Sequence, residues 1–257
     1  MGLFNKKTSH SNLSVITFNT VICIPGVWES WQQFILSIVS ATNGEYIAAG
    51  NVLMHVKSKT HFTIEFCERD DRLKNSFATA GAVTRVSENF LEEIDNHKHV
   101  IYISSTTGNL EAATHIAFAA EAILKTGGIG VKIETAGKAF EKHRWFDMLR
   151  SFHEQNLYEM FVLSSIVNED GTVYSCGMQS LGYKDTIVSG EEFQDAVDLI
   201  EVFGYYQIID KSTILNNETF SANAESPRYR IIDEVNQPNA GIDLFENPYG
   251  MWRLTRG

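Results

Sequence analysis

The chain has 257 residues, and its 44% apolar and 21% charged content is that of a globular protein, which excludes wholesale disorder. Against 21 Lys and Arg stand 32 Asp and Glu, a net charge of −11. Phosphate backbones and anionic membrane surfaces are held by Lys and Arg, so the acid excess argues against both as partners; it permits a basic partner and serves solubility in any case.

The N-terminus opens with Lys6 and Lys7, but polar Thr8 to Asn12 follow where a signal peptide needs an apolar core. Lys6 stands where a myristoylation signal at Gly2 would need Ser or Thr. No later apolar run is long enough to span a bilayer. Residues 1–12 are therefore expected to form a flexible tail, and 13–257 a single cytoplasmic α+β domain, with a two-lobe division allowed near Gln155.

The first strand is expected at Val15 to Ile24, ended by Pro25-Gly26. Ser30 and Gln33 then form a capping box, and Trp31, Phe34, Ile35, Ile38 and Val39 recur at helical spacing up to Asn43-Gly44. Strands follow at Tyr46 to Ala49, Val52 to Val56 and His61 to Cys67; in the last, Phe62, Ile64 and Phe66 alternate with polar residues, the period of a half-covered sheet. Glu68 to Arg72 reads as a charged turn, and Ala78 to Ala82 as a small-residue segment. Ser87 caps a short helix to about Asn96. Val100 to Ile103 is apolar throughout, as in a strand buried on both faces. A largely buried helix from Asn109 to Lys125 ends at Gly127-Gly128 and feeds a strand at Gly130 to Glu134, together a crossover unit.

A helix is expected from Lys138 to His153, burying Trp145, Leu149 and Phe152. Met160 to Val167 and Thr172 to Cys176 read as a hairpin around Asp170-Gly171. Ser189 and Glu192 form a second capping box before a helix carrying Phe193, Ala196, Val197, Ile200 and Phe203. Short strands at Phe220 to Ala224 and Tyr229 to Asp233 precede irregular chain. The sum is α+β: mixed or antiparallel sheets with hairpins, packed by about four to five helices.

Cys23, Cys67 and Cys176 are far apart, odd in number and form no CxxC pair, which leaves no cysteine-spaced zinc site and argues against a disulfide framework. Thr126-Gly127-Gly128-Ile129-Gly130 runs from helix to strand, the reverse of a phosphate-binding loop. His97 with His99, and His55 with His61, lack a third ligand at motif spacing, so neither metal nor cofactor is expected. His115 lies four residues after Glu111, an ordinary helical pair. Cys176 before Gly177 would need a nearby imidazole, His143 or His153, to act as a nucleophile; burial in a strand is the plainer reading. Large aromatic and charged residues collect in three loops: Trp28 and Glu29; Glu225, Arg228 and Tyr229; Tyr249 and Trp252. Such residues dominate binding hot spots, and serve equally to fasten loops to a core.

The stretch Cys176-Gly177-Met178-Gln179-Ser180-Leu181-Gly182-Tyr183-Lys184-Asp185, a helix, and then Asn216-Asn217-Glu218-Thr219-Phe220 resemble the bacterial family known as domain of unknown function 4261. Lys184 stands where many members have proline. The resemblance is strongest over Tyr158 to Ser221. It implies a bacterial cytosolic protein and brings no catalytic residues, and families of this kind include immunity proteins encoded beside secreted toxins. The resulting expectation is a non-enzymatic protein that occludes the active site of a basic cognate toxin through Trp28, Glu29, Glu225, Arg228, Tyr229, Tyr249 and Trp252. The alternative is a small-molecule-binding or hydrolytic protein using Cys176, Asp185 or His115.

Overall fold

Strand β1 (Phe18–Gly26) is apolar along most of its length, and the first sheet is built around it. The computed structural model describes residues 18–210, 213–238, 240–242 and 245–257; the expected tail and the expected start of this strand at Val15 lie outside them. The sheet also contains β2 (Tyr46–Ala49), β3 (Val52–His55), β4 (His61–Glu68), β5 (His99–Thr107), β6 (Gly130–Ile133) and β7 (Lys138–Glu141), in the order β2-β3-β4-β5-β1-β6-β7. All neighbours are antiparallel. Strands β5 and β6 both run antiparallel to β1, so they are parallel to each other. Helix α4 (Leu110–Lys125) joins them as the crossover, with β1 between.

Alternation along the strands sends side chains to two different cores. Ile22, Ile24, Phe62, Ile64, Ile101 and Ile103 pack with α1 (Trp31–Ala41) and α4. Cys23 and Val100 point the other way, onto Leu73 and Phe77 of α2 (Leu73–Ala80) and Phe90 and Ile94 of α3 (Glu88–Asp95). The start of β5 is thereby buried on both faces.

After α5 (Lys142–Arg150) and α6 (Glu154–Phe161), the chain builds a second sheet. Its strands are β8 (Leu163–Val167), β9 (Val173–Cys176), β10 (Asp185–Val188), β11 (Thr219–Phe220), β12 (Tyr229–Glu234) and β13 (Met251–Arg256), in the order β11-β12-β13-β10-β9-β8. β10 and β13 are parallel and the other pairs antiparallel, so the sheet is mixed. Helix α7 (Phe193–Ile209) covers it through Ala196, Ile200 and Phe203. The two sheets meet at a 3-10 turn, Met178–Leu181, whose Met178 and Leu181 insert into the first core beside Leu157 and Phe161 of α6. Thr20 of β1 donates to Ser180 Oγ at 2.8 Å, and the Gly108 amide to the Ser180 carbonyl at 3.1 Å.

The α+β class is as expected, but the described residues hold seven α-helices rather than four to five. Helices α2 and α6 were not anticipated; each has eight residues and is held by tertiary packing of one apolar face. The expected helix at Lys138 begins only at Lys142, because Ala139 and Phe140 pair with Lys132 and Val131 of β6. The strand expected from Met160 starts at Leu163, after α6. The strand expected over Phe220 to Ala224 is only Thr219–Phe220, and the chain read as irregular near the C-terminus contains β13. Ser189 caps nothing: Glu192 is the N-cap of α7, and Ser189 Oγ accepts from Arg253 Nη1 at 2.8 Å. In the first capping box, Ser30 Oγ accepts from the Gln33 amide as expected, but Gln33 Oε1 accepts from Glu29 rather than from Ser30.

Candidate functional site

Helix α4 buries Ala113, Ile116, Ala117 and Ala120 against the sheet, which leaves a second stripe to look past the sheet's outer edge. That stripe is His115, Phe118, Ala122 and Lys125, spaced by three and four residues on one helical face, with Glu121 beside it. Opposite stand Tyr46 of β2, His55 of β3, the Ser58–Thr60 turn and Phe62 of β4. Between them lies a recess of about 170 Å³.

Tyr46 is 8% exposed as a whole, and its hydroxyl, which remains accessible, has no hydrogen-bond partner among the described residues. Its amide is held by Thr42 Oγ1 at 3.1 Å, and its ring lies 5.0 Å from that of His55. Burial, and then the negative charges of Glu121 and Glu45, push its phenol up to about 12. Glu121 pairs with Lys125 at 3.0 Å one helical turn on. His55 Nδ1 and Ser58 Oγ lie 2.8 Å apart, and Ser58 Oγ is also 2.7 Å from Thr60 Oγ1. A serine beside an imidazole invites a nucleophile reading. Here the pair is three residues apart within one turn and clasps that turn. His55 Nε2 and the whole imidazole of His115 have no protein partner among the described residues.

Asp185 and Cys176 lie elsewhere, in the seam between the sheets. Asp185 is buried and accepts from Ser175 Oγ at 2.8 Å, Asn247 Nδ2 at 2.7 Å and the Met178 amide at 3.3 Å. Burial pushes its carboxyl up to about 6, and those donors hold it from rising further. The Cys176 thiol faces the carbonyls of Thr135 and Phe245, each at 3.9 Å, and burial pushes it up. A thiol held protonated among carbonyls is a poor nucleophile. This seam is a packed polar joint, and neither residue lines the recess that receives His115.

The other histidines have local work. His97 Nδ1 donates to the Ile94 carbonyl and Nε2 accepts from the Asp70 amide. His99 donates to the Trp28 carbonyl and stacks on Phe66 at 4.5 Å. His143 lies 3.3 Å from Glu141, and His153 is the N-cap of α6. His61 does not line the recess with His55; it lines a neighbouring depression with Asn19 and Ser104, on the other side of Ser58 and Thr60. No group of three or more His, Cys, Asp or Glu that could hold a metal occurs among the described residues.

The seven residues expected at a partner surface fall in different places. Trp28 is 2% exposed and fastens the loop after β1, its Nε1 donating to the Thr126 carbonyl at 3.0 Å. Glu29 is exposed and pairs with Lys98. Glu225 and Arg228 are exposed, whereas Tyr229 and Trp252 are buried under the second sheet's core. Lys184 Nζ stands 4.0 Å above the Trp252 ring. The Tyr249 hydroxyl lies 3.4 Å from the carbonyl of Gly108, beside Thr107, which pairs with Phe18 at the first end of β1; Trp28 follows the other end. At about 3.3 Å per residue, β1 separates them by roughly 26 Å. These residues do not form one patch.

His115 and His55 were legible as chemistry-bearing residues; Tyr46, Glu121 and Lys125 were not. The register of His115, Phe118, Ala122 and Lys125 was a signal in the sequence. It could not say that the stripe overhangs the sheet edge. The chain matches no protein-family model, no curated protein and no solved structure.

Proposed function

We propose that this protein binds a small organic molecule in the recess between β2–β4 and α4. The observation that supports this most is Tyr46: its ring is buried, while its hydroxyl has no protein partner among the described residues and stays accessible in the recess that the residue lines. Two imidazoles with open nitrogens and the rings of Phe62 and Phe118 line the same space, the mixture of apolar wall and few polar groups usual for ligand sites. The test is a thermal-shift screen of cationic, neutral and anionic fragments against the protein and a Thr60→Trp variant that fills the recess. Fragments that raise Tm of the parent and not of the folded variant are expected. If no fragment stabilises the parent, or the variant responds equally, the reading fails.

A second reading is favoured by the net charge of −11 and by the exposed Glu225 and Arg228: an immunity protein that occludes a basic toxin. It predicts a basic partner in one-to-one complex whose toxic activity the protein abolishes, with affinity falling as salt rises. A complex indifferent to salt would count against it.

A further inference from the structure

We propose that the ligand of this recess is a small ring-bearing amine, held as its ammonium ion by Glu121 with its ring against Tyr46 and Phe118. The inference rests on the recess being a ligand site and identifies what it takes. Charge comes first. Two carboxylates, Glu45 at the rim and Glu121 in the wall, face one ammonium, Lys125. Lys125 is tied to Glu121 at 3.0 Å, and its side chain is 43% exposed against 19% for Glu121. An ion pair this open contributes little, so a ligand cation can displace Lys125 toward solvent.

Shape and hydrogen bonding agree with the charge. A cavity of about 150 Å³ accommodates a benzene-sized guest, so the 170 Å³ here fits one ring with a short arm. Tyr46, Phe62 and Phe118 supply ring faces that attract a cation as well as an apolar body. The Tyr46 hydroxyl and the open imidazole of His115 can accept hydrogen bonds from an ammonium; His55 Nδ1 already accepts from the Ser58 amide, which leaves its Nε2 as a donor. An anion would meet Glu45 and Glu121 with only one cation to offset them.

The test uses benzylamine, benzyl alcohol and benzoate with the full chain, read by calorimetry. Benzylamine is expected to bind about tenfold tighter than benzyl alcohol, the size of one charge-assisted hydrogen bond, and benzoate weakest. Glu121→Gln should remove that preference, and Lys125→Met, which frees Glu121, should increase it. If benzyl alcohol or benzoate binds as tightly as benzylamine and Thr60→Trp still abolishes binding, the amine assignment falls while the recess stands. If Glu121→Gln leaves the preference intact, Glu121 is not the anchor. If none of the three binds and no fragment stabilises the protein, both readings fall together.

Discussion

Asn247 donates its side-chain amide to the buried Asp185 carboxylate at 2.7 Å, across 62 residues of chain. That contact ties the segment before β13 to the start of β10. The same amide also donates to the Tyr183 carbonyl at 3.0 Å. A charged carboxylate without access to water is costly, and the donors around Asp185 offset part of that cost.

The linkage has a definite sign. The folded carboxyl sits at about 6 against an ordinary value of 3.8. Between those values the folded state binds more protons than the unfolded one. Stability therefore falls as pH rises through this window, by roughly 3 kcal/mol at most, and is flat above it. Asn247→Ala removes a donor to the charged form and carries the window to higher pH. It should destabilise by about 1–3 kcal/mol at pH 7.5 and by less at pH 5. Urea unfolding of both proteins at both pH values measures this, and an equal loss at each pH would refute the coupling.

The seam should also be intolerant of a methyl group. Gly177 has a φ of 125°, and a Cβ there would overlap the carbonyl oxygen of Phe161 in α6. Gly171, in the β8–β9 turn, has a φ of 79° and open space around it. Gly171→Ala should cost about 1 kcal/mol, the backbone term alone. Gly177→Ala should cost about 3 kcal/mol or more, because backbone on both sides must move. Thermal melts of the pair decide it; similar losses would mean that α6 yields easily.

This contrast also marks what was legible in the sequence. Long periodic segments such as α1, α4 and β4 announce themselves, because one buried face repeats over several turns or strand steps. Gly177 looked like an ordinary glycine after a strand, and its meaning lies in Phe161, which no local pattern connects to it. Lys138 misled for a similar reason: the helical spacing of Trp145 and Leu149 extends back over it, but pairing with Ile133 on β6 makes it strand. The recess was half legible. His55 and His115 stood out by chemistry, whereas no local pattern singled out Glu121 and Lys125, which meet the recess only because β2 and β3 close its other side.

Lys138 carries its own prediction. Its ammonium donates to the carbonyls of Glu159 at 2.6 Å and Val162 at 2.8 Å, at the C-terminal end of α6. Those carbonyls lie where a helix has no amides left to offer, and a cation there is favoured. Lys138→Met keeps the aliphatic stem and removes the donor. A loss of about 1–3 kcal/mol is expected, with faster amide exchange concentrated in residues 154–162. Unchanged exchange in that segment would show that α6 is held by its apolar face alone.

Tyr46 separates a structural group from a binding one. Its hydroxyl has no partner among the described residues, so Tyr46→Phe should leave stability within about 0.5 kcal/mol of the parent. Thr42 makes the opposite case one turn of chain away: its Oγ1 donates to the Ile38 carbonyl at 2.6 Å and accepts from the Tyr46 amide at 3.1 Å. Thr42→Val should therefore cost about 1 kcal/mol or more, since the buried Tyr46 amide loses its acceptor. Benzylamine binding should be several-fold weaker for Tyr46→Phe. Thermal melts and calorimetry on the same samples give both readings. A Tyr46→Phe protein that loses stability without losing affinity would mean that the hydroxyl serves the fold and not a ligand.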